Sequence, residues 1–255
     1  MRDGLIFTDN VKRAQFALSE LKKRRAASAG RNILVIEGLT GRGKTCFCEW
    51  CVVQESHVFY AEAKANCTSS WLMEDAAEAL LLVRENTTKA NYRNIREAQR
   101  NWIEAQQPRF LIIDEAQRIV RYARLMDTVR GLHDAGLPLM LVGELGIWGN
   151  ITRKSDTFAD RVGQVVKFGD VSAGDIMAAA LDLADLRLVA EVAVEIQERA
   201  GGNFRRAAKV IEELERIAKA NPGEINRAKV DLAVRNLEIA EQRAEKRAAR
   251  RAAAG

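Results

Sequence analysis

The chain has 255 residues, 47% of them hydrophobic and 29% charged, which is enough for one large domain or for a medium domain with a smaller companion. Its formal net charge of +5 permits a polyanionic partner without requiring one. No apolar run approaches the roughly 18–20 residues that span a bilayer, and the polar start MRDGLIFTDN lacks the apolar stretch of a signal peptide. We therefore expect a cytoplasmic protein with no membrane partner.

Helical and strand patterns alternate over the first two thirds of the chain. Residues 11–25 carry apolar side chains at helical spacing, and five short apolar runs then predict strands. The runs are NILVIEG (32–38), HVFYAEA (57–63), RFLIIDE (109–115), LPLMLVGE (137–144) and the weaker QVVKF (164–168). Such strands, separated by helical stretches, are typical of an α/β fold in which a parallel sheet has helices on both faces.

Beyond about residue 170 helical periodicity continues without another convincing strand. Val192 and Ile196, for example, repeat on one helical face. The pattern predicts a helical lead-in, an α/β domain, a small all-helical domain and a basic Ala-rich tail. These four parts are residues 1–30, 31–169, 170–238 and 239–255.

The end of the chain is strongly basic. The stretch EQRAEKRAARRAAAG (241–255) carries five Lys or Arg residues against two Glu and contains little that is apolar beyond alanine. This composition is typical of a solvated helix end. A nucleic-acid-binding tail is the alternative.

The segment GLTGRGKT (38–45) matches G-x-x-x-x-G-K-[ST] and lies between a predicted strand and a predicted helix. Glycines let backbone N–H groups turn toward phosphate oxygens, and the helix N-terminus favours negative charge. We expect Lys44 to contact the β- and γ-phosphates of ATP and the Thr45 hydroxyl to bind Mg²⁺. The predicted nucleotide-binding residues here are Gly38, Leu39, Thr40, Gly41, Arg42, Gly43, Lys44, Thr45 and Cys46.

Three cysteines, Cys46, Cys48 and Cys51, cluster on the helix predicted to follow this loop. Disulfides are not expected in a reducing cytosol. A zinc site is the sharper alternative, but the C-x-C-x2-C spacing is uncommon among zinc fingers, and the sequence contains only two histidines. We therefore interpret the three cysteines as packing residues.

The third predicted strand, FLIID, ends in two acids, Asp114 and Glu115. Taken alone, a buried strand that ends in two solvated acids is a frequent pattern. Beside a phosphate loop, Asp114 is expected to hold Mg²⁺, and Glu115 is expected to polarise the water that attacks the γ-phosphate. The two motifs together predict a Mg²⁺-dependent ATPase, with Glu115 and Lys44 as catalytic residues.

The acids continue as DEAQR (114–118), and the helical part contains GGNFRRA (201–207). With the layout of strands followed by a helical lid, these residues resemble the AAA+ ATPases. The resemblance is greatest to the transposition target-selection ATPases of the phage Mu B, TniB and TnsC group, with ExeA-like ATPases as broader relatives. It covers about residues 30–220.

The resemblance implies an ATPase that assembles as a ring or filament on duplex DNA. It would deliver target DNA to a separate transposase and stimulate transposition. A phage or mobile element in a bacterial host would encode it. Because no acidic triad for DNA cleavage is recognisable in the sequence, we interpret the chain as a helper and not as the transposase itself.

The resemblance also implies an arginine finger. Arg161 lies just before the last predicted strand, where such proteins keep an arginine that reaches the γ-phosphate held by a neighbouring subunit. Arg153 and Lys154 are nearby substitutes. A surface arginine without this role is the alternative.

Two further nucleotide contacts follow from the same resemblance. Arg205 or Arg206 resembles the sensor 2 residue of the lid, and adjacent residues of a helix point in different directions, so we expect one of them at the nucleotide. At the end of the fourth strand, where relatives usually have a neutral polar residue, this sequence has Glu144. A glutamate there adds negative charge near the phosphates and is expected to slow hydrolysis.

Basic residues between the second and third strands are the predicted DNA contacts. Arg93, Arg96 and Arg100 are three and four residues apart and therefore share a helical face. A row of guanidinium groups gives salt-sensitive, sequence-independent affinity for phosphates, although a solvated helix face has the same pattern. The predicted DNA-binding residues are Lys64, Lys89, Arg93, Arg96 and Arg100.

Other functions use the same phosphate-binding core. A helicase loader or replication-initiator-like ATPase is the nearest alternative. A small-molecule kinase needs a substrate pocket and a mobile arginine-bearing lid, and the long helical C-terminal part argues against it. A nucleotide-switched scaffold without useful hydrolysis is a third alternative, because of Glu144.

Overall fold

The computed structural model describes residues 5–25, 30–55, 57–81, 92–104 and 109–252. In chain order their elements are α1 Asp9–Arg25, β1 Ile33–Gly38, α2 Lys44–Gln54, β2 Val58–Glu62, α3 Ser69–Leu81, α4 Tyr92–Glu104, β3 Phe110–Asp114, α5 Gln117–Val120, α6 Ala123–Asp134, β4 Leu139–Gly143, α7 Ile147–Lys154, α8 Asp156–Ala159, β5 Val162–Phe168, α9 Ala173–Ala184, α10 Ala190–Ala200, α11 Phe204–Ala220 and α12 Arg227–Ala252. They divide into two compact units. The first unit is Asn10–Phe168, and the second unit is Gly169–Gly255 together with Met1–Asp9.

The first unit contains a five-stranded parallel sheet in the order β2-β3-β4-β1-β5. Because the strands are parallel, all of them begin at one edge, here called the amino edge, and end at the other, here called the carboxyl edge. At the carboxyl edge β1 and β5 approach closely: a Cβ added to Gly38 would lie 2.5 Å from the Phe168 carbonyl oxygen. A glycine is therefore required where the phosphate loop begins.

Both faces of this sheet are covered, as the continuous apolar strands predict. Ile33, Val35 and Leu111 lie on one face, in a buried cluster with residues of α3 and α6. The intervening Leu34 and Ile36 are also fully buried. Successive residues of a strand point to opposite faces, so a second core lies on the other side of the sheet.

Helix α2 packs against β1, β2, β3 and β4. The Phe47 ring of this helix lies 6.4 Å from the Phe168 ring of β5, measured between centroids. Cys48 and Cys51 are fully buried on α2, and Cys46 is exposed. The described residues contain no group of three or more His, Cys, Asp or Glu that could hold a metal ion. Burial at these positions fits small apolar packing residues.

The second unit is helical, which confirms the predicted lid-type domain after the sheet. Its core joins α9, α10, α11 and α12. Helix α9 begins with a capping box in which Ser172 and Asp175 each bond the backbone N–H of the other. The Asp9 N–H also donates to Asp175 at 2.9 Å, and Ile6 is buried in the same core, so the start of the chain belongs to this unit.

Helix α12 is 26 residues long and continues through the boundary at residue 238 that the sequence predicted. Every described side chain from Glu238 to Arg251 is exposed. Alanine, arginine, lysine, glutamate and glutamine are all strong helix formers, which explains a helix that continues beyond its buried part. Among the described residues, no helix is long and apolar enough to span a membrane.

Candidate nucleotide site

The phosphate loop joins β1 to α2 at the carboxyl edge. Gly41 and Gly43 have φ of 79° and 90°, values that side-chain-bearing residues rarely adopt. Gly43 is the N-cap residue of α2 and provides no side-chain hydrogen bond to the first turn of the helix. The N–H groups of that turn lack an intrahelical partner, as at the start of any helix, and they suit an anion. The loop therefore fits the phosphates of a nucleotide.

The Lys44 ammonium is held inside this loop. Its Nζ donates to the Gly38 carbonyl oxygen at 2.7 Å and to the Leu39 carbonyl oxygen at 3.0 Å. Burial lowers the pKa of Lys44, while the charges of Asp114, Glu115 and Glu144 oppose that change. An ammonium that is held by carbonyl oxygens within a glycine-rich loop fits a polyphosphate ligand. The side chain of Arg42, in the same loop, is buried, whereas that of Leu39 is 53% exposed.

The two residues predicted to bind Mg²⁺ meet directly. The Thr45 hydroxyl donates to Asp114 Oδ2 at 3.0 Å, although 69 residues separate them in sequence. Asp114 is 3% exposed, and its other oxygen accepts the Glu115 N–H at 2.8 Å. A hydroxyl beside a carboxylate supplies the hard oxygen ligands that Mg²⁺ prefers. The pair therefore fits a magnesium ion.

Tyr60 completes this cluster and was missed from the sequence. Its hydroxyl donates to Asp114 Oδ2 at 3.2 Å. Burial, and then the charge of Asp114, raise the pKa of Tyr60. Tyr60 lies on β2 beside Ile112 of β3, so only the pairing of these strands brings it to the site.

Glu115 is oriented by Gln117, a residue of the DEAQR segment for which the sequence predicted no role. Glu115 has a left-handed backbone with φ of 56°, and its Oε2 accepts Gln117 Nε2–H at 2.7 Å. Gln117 Oε1 accepts the Glu144 N–H at 3.1 Å. A Cβ at Gly143 would lie 2.5 Å from that amide oxygen, so the glycine allows this link. Gln117 thus joins the predicted catalytic carboxylate to the end of β4.

Arg118 provides a second contact to the same carboxylate. Its guanidinium lies 3.3 Å from Glu115 Oε2 and also 3.3 Å from Glu62 at the end of β2. It donates to the Ala63 carbonyl oxygen at 2.7 Å. Glu115 is therefore fixed from the end of β2 as well as from the end of β4.

The end of β4 is held in place by a buried acid. Glu37 Oε2 accepts the N–H groups of Gly146 and Trp148 at 3.1 and 2.9 Å, at the start of α7. Its side chain is 3% exposed, and the Lys167 ammonium lies 3.7 Å away. Glu144 itself is exposed, and its charge acts on Lys44. The expected extra negative charge therefore lies near the phosphate loop.

Arg161 lies at the opposite edge of the sheet. Its carbonyl oxygen accepts the Ile33 N–H at 3.1 Å, where β1 begins. Because β5 runs the length of the sheet, about 20 Å separates this position from the level of Gly38. The distance exceeds the reach of an arginine side chain, so Arg161 does not contact the phosphate loop of its own chain.

The Arg161 guanidinium binds Asp134 in a bidentate pair. Nε and Nη2 donate to the two carboxylate oxygens at 2.7 and 2.9 Å. This hydrogen bonding, ahead of a smaller contribution from His133, lowers the pKa of Asp134 to about 2. Of the suggested substitutes, Lys154 donates to the Val120 carbonyl oxygen at 2.8 Å, whereas Arg153 is exposed and bonds Asn150.

Arg205 and Arg206 are both exposed in the first turn of α11, in the helical unit. The Asn203 side chain caps this helix by accepting the Arg206 N–H at 3.1 Å. The assignment of one of these arginines to the nucleotide stays a prediction.

The predicted DNA contacts lie in two parts of the first unit. Arg93, Arg96 and Arg100 are exposed along α4, as predicted, but Lys64 follows β2 at the carboxyl edge. Arg96 donates to the Asp134 carbonyl oxygen at 3.3 Å, near the amino edge. The remaining predicted contact, at residue 89, lies outside the described residues. The α4 arginines and Lys64 therefore come from separate elements, and their binding of DNA stays a prediction.

Comparisons with known proteins define the fold. A family profile described as AAA domain matches residues 26–150. The Aeropyrum pernix ORC2 protein, solved as ADPNP-ADP complexes, is similar with a TM-score of 0.64 at 14% identity, over 92% of this chain and 70% of that one. Thermotoga maritima RuvB, described as a Holliday junction branch migration motor, has a TM-score of 0.57 at 18% identity, over 91% and 70%.

The Aeropyrum pernix ORC1 protein in complex with DNA has a TM-score of 0.54 at 16% identity, over 93% of this chain and 67% of that one. No curated protein matches the chain in sequence. At these identities the likeness concerns the fold alone. The fold is that of the AAA+ ATPases, a parallel sheet flanked by helices with a helical region after it.

Proposed function

We propose that this protein is a magnesium-dependent ATPase that assembles on duplex DNA, with each ATP held between two subunits. One observation carries the proposal. The carboxyl edge of the sheet brings together Lys44, Thr45, Asp114 and Glu115, while Arg161 lies at the amino edge. Arg161 is too far from the phosphate loop of its own chain to contact phosphates bound there. It could instead contact the phosphates that a neighbouring subunit binds.

The residues divide the chemistry among them. Thr45 and Asp114 would hold the magnesium ion, and Lys44 would neutralise phosphate charge. Bound Mg²⁺ supplies further neutralisation of the charge that develops on the phosphates. Glu115 orients the attacking water and accepts its proton, and Gln117 fixes the direction of that carboxylate. Arg161 of a neighbouring subunit adds positive charge, which makes hydrolysis depend on assembly.

The proposed DNA partner is supported by the basic net charge, by the exposed arginines of α4 and by a fold shared with a protein solved in complex with DNA. In its finer form, the proposal is that the protein delivers target DNA to a transposase in the bacterial cytoplasm. The resemblance of DEAQR (114–118) and GGNFRRA (201–207) to transposition ATPases supports this form. A replication-initiator-like or helicase-loading role is the second candidate, favoured by the likeness to the ORC2 protein.

Negative-stain electron microscopy of the full chain with duplex DNA tests the proposal. Samples contain ATP, ADP or no nucleotide, at low and at moderate salt. We expect rings or filaments on DNA with ATP only. Lys44→Ala is the control. It lacks the lysine that binds the phosphates of ATP, and we expect it to form no rings or filaments on DNA. Normal assembly of that variant with ATP would contradict the mechanism.

DNA sequence preference separates the two candidate roles. Coating of every duplex irrespective of sequence, with stimulation of strand transfer when a transposase is added, supports target delivery. Assembly confined to particular duplex sequences, or loading of a replicative helicase, supports the second candidate.

A further inference from the structure

The exposed end of α12 carries a row of positive charge, here called the α12 basic face. Its members are Arg243, Lys246, Arg247, Arg250 and Arg251. Their spacings of three and four residues place them within an arc of about 140° around the helix. All five are exposed, and within the described part of the chain none of them has an ion-pair partner.

The acids of the same segment lie on another side of the helix. Glu238, Glu241 and Glu245 also repeat at spacings of three and four residues, but out of phase with the cations. Glu241 accepts Lys209 Nζ–H of α11 at 3.3 Å. The acidic side is therefore partly neutralised inside the helical unit, and the basic side is not.

The pairing of α11 with α12 leaves the α12 basic face unsupported. Asn236 bonds Glu213 at 2.6 Å and Lys209 bonds Glu241, so the two helices run antiparallel. At this register the last turns of α12 extend past Phe204, the first residue of α11. No side chain larger than alanine is apolar after Ile239. The extension therefore adds nothing to the core of the unit.

This arrangement of charge costs stability in the lone chain. Arg243 and Arg247, like Arg247 and Arg251, are like charges four residues apart on a helix, and each such pair is unfavourable. In a helix end that is merely solvated, acids placed at these spacings would offset the repulsion. Here the cations lie next to cations, and binding of an external anion would reduce the repulsion between them.

The chemistry of the face selects the partner. A lipid surface requires bulky apolar residues on the side opposite the cations, and this helix has only alanine and acids there. A protein partner favours aromatic anchors, which the segment lacks. Five cations along about 12 Å of helix axis face about seven phosphate charges in the same length of duplex DNA. The major groove of B-form DNA also admits a helix, which that of A-form RNA does not.

We propose that the α12 basic face binds the phosphate backbone of duplex DNA without sequence preference. The inference rests on the proposed function, because it names a surface through which the ATPase contacts its DNA. It differs from the predicted α4 contacts, where the Arg96 guanidinium is already bonded to the Asp134 carbonyl oxygen.

The test measures binding of a fluorescent duplex of about three helical turns to the full chain with ATP, by anisotropy, between about 50 and 200 mM salt. The variant replaces all five cations by glutamine, which keeps the helix because glutamine is a good helix former. Neutralising five contacts should make the slope of log affinity against log salt shallower by about 4 to 5. We expect affinity at the lowest salt to fall at least about tenfold.

Two controls separate position from total charge. The first replaces the four arginines of the face by lysine, which keeps the charge and should bind as the wild type does. The second neutralises five exposed cations elsewhere and should also retain binding. Those five are Lys23, Arg121, Arg124, Arg187 and Arg227.

Each outcome decides something different. Loss of affinity and of salt slope in the glutamine variant alone supports the inference. Wild-type binding by that variant overturns the inference and leaves the proposed function intact. An equal loss in the second control also overturns it, because total charge then explains the binding. Absence of DNA binding by the wild type under every condition overturns both the inference and the proposed function.

Discussion

The two edges of the sheet in the first unit present different kinds of chemistry. At the carboxyl edge, short motifs bring Lys44, Thr45, Asp114 and Glu115 together, and their side chains bond one another or the phosphate loop. At the amino edge, Arg161 pairs with Asp134 and joins the start of β5 to the end of α6. The first edge fits a nucleotide, and the second presents a cation that its own nucleotide site does not use.

The proposed function divides one catalytic site between these two edges. The carboxyl edge has groups for phosphate, metal and water, and its Lys44 ammonium bonds carbonyl oxygens of the phosphate loop. The amino edge holds a guanidinium oriented by a carboxylate. In the proposed assembly the amino edge of one subunit faces the carboxyl edge of the next. ATP hydrolysis would therefore depend on assembly.

The largest expected effect on ATP turnover comes from removing the Arg161 side chain at the amino edge. In the assembled protein, Arg161→Ala should reduce ATP turnover by about 10³-fold or more, because such an arginine contributes about 10³–10⁵ to the rate. Phosphate release measures turnover. Arg124→Ala, at an exposed arginine of α6, is the matched control and should retain activity.

Mixing variants sharpens this prediction. Glu115→Gln chains keep ATP binding and Arg161, and Arg161→Ala chains keep the phosphate loop and Glu115, so mixed assemblies should regain part of the turnover that each lacks alone. A mixture as inactive as its separate components would contradict a site that is divided between subunits.

The next effect concerns the carboxyl edge. Glu115→Gln should lower turnover by about 10²–10⁴-fold, the usual contribution of a general base. ATP binding should persist because Lys44 and the loop are intact; a fluorescent ATP analogue measures it. A parallel loss of binding would argue against the role of Glu115. Equal, negligible turnover in both proteins would instead identify a nucleotide-switched scaffold, as Glu144 allows.

A smaller effect follows from loosening Glu115. Gln117→Ala removes its 2.7 Å hydrogen bond, and misplacement of a catalytic group by about 1 Å can cost about 100-fold. We expect kcat to fall by about ten- to a hundredfold, with KM for ATP unchanged. Gly143→Ala should act in the same direction, because its Cβ would displace the Gln117 amide. A rise in KM with kcat unchanged would exclude positioning as the role of Gln117.

The smallest effect concerns the Asp134–Arg161 pair in the lone subunit. The pKa of Asp134, about 2, is below its ordinary value of 3.8, so the pair stabilises the fold above about pH 4 and ceases to do so as the pH falls toward 2. Since the Asp134 side chain is 41% exposed, we expect less than about 1 kcal/mol. Urea unfolding of the wild type and Asp134→Asn should differ near pH 7 and converge near pH 2. A difference independent of pH would contradict this origin.

The part of the candidate site that lies in two contiguous motifs was predictable from the sequence. GLTGRGKT (38–45) and FLIIDE (110–115) place their functional groups through local backbone geometry, and apolar runs marked the five strands to within about two residues. The helical character of the second unit followed from periodicity in the same way. The extent of α12 did not, because its charged and alanine-rich end continues a helix without any apolar pattern.

Contacts between distant segments were not predictable. Tyr60 meets Asp114 across 54 residues, and Glu37 caps α7 across 109 residues. Arg161 was selected by resemblance, but its partner Asp134 has no local signal in the sequence. Lys64 and Arg96 belong to one basic stretch of sequence, yet they lie near opposite edges of the sheet.

The sequence by itself determined the phosphate loop, the acids of the third strand, the parallel sheet and the helical region after it, because each depends on residues that are neighbours in the chain. The tertiary structure decided which edge of the sheet each side chain occupies and which groups it bonds. Strand order and register set those positions, and they bring together residues whose separation in sequence carries no information about their contact.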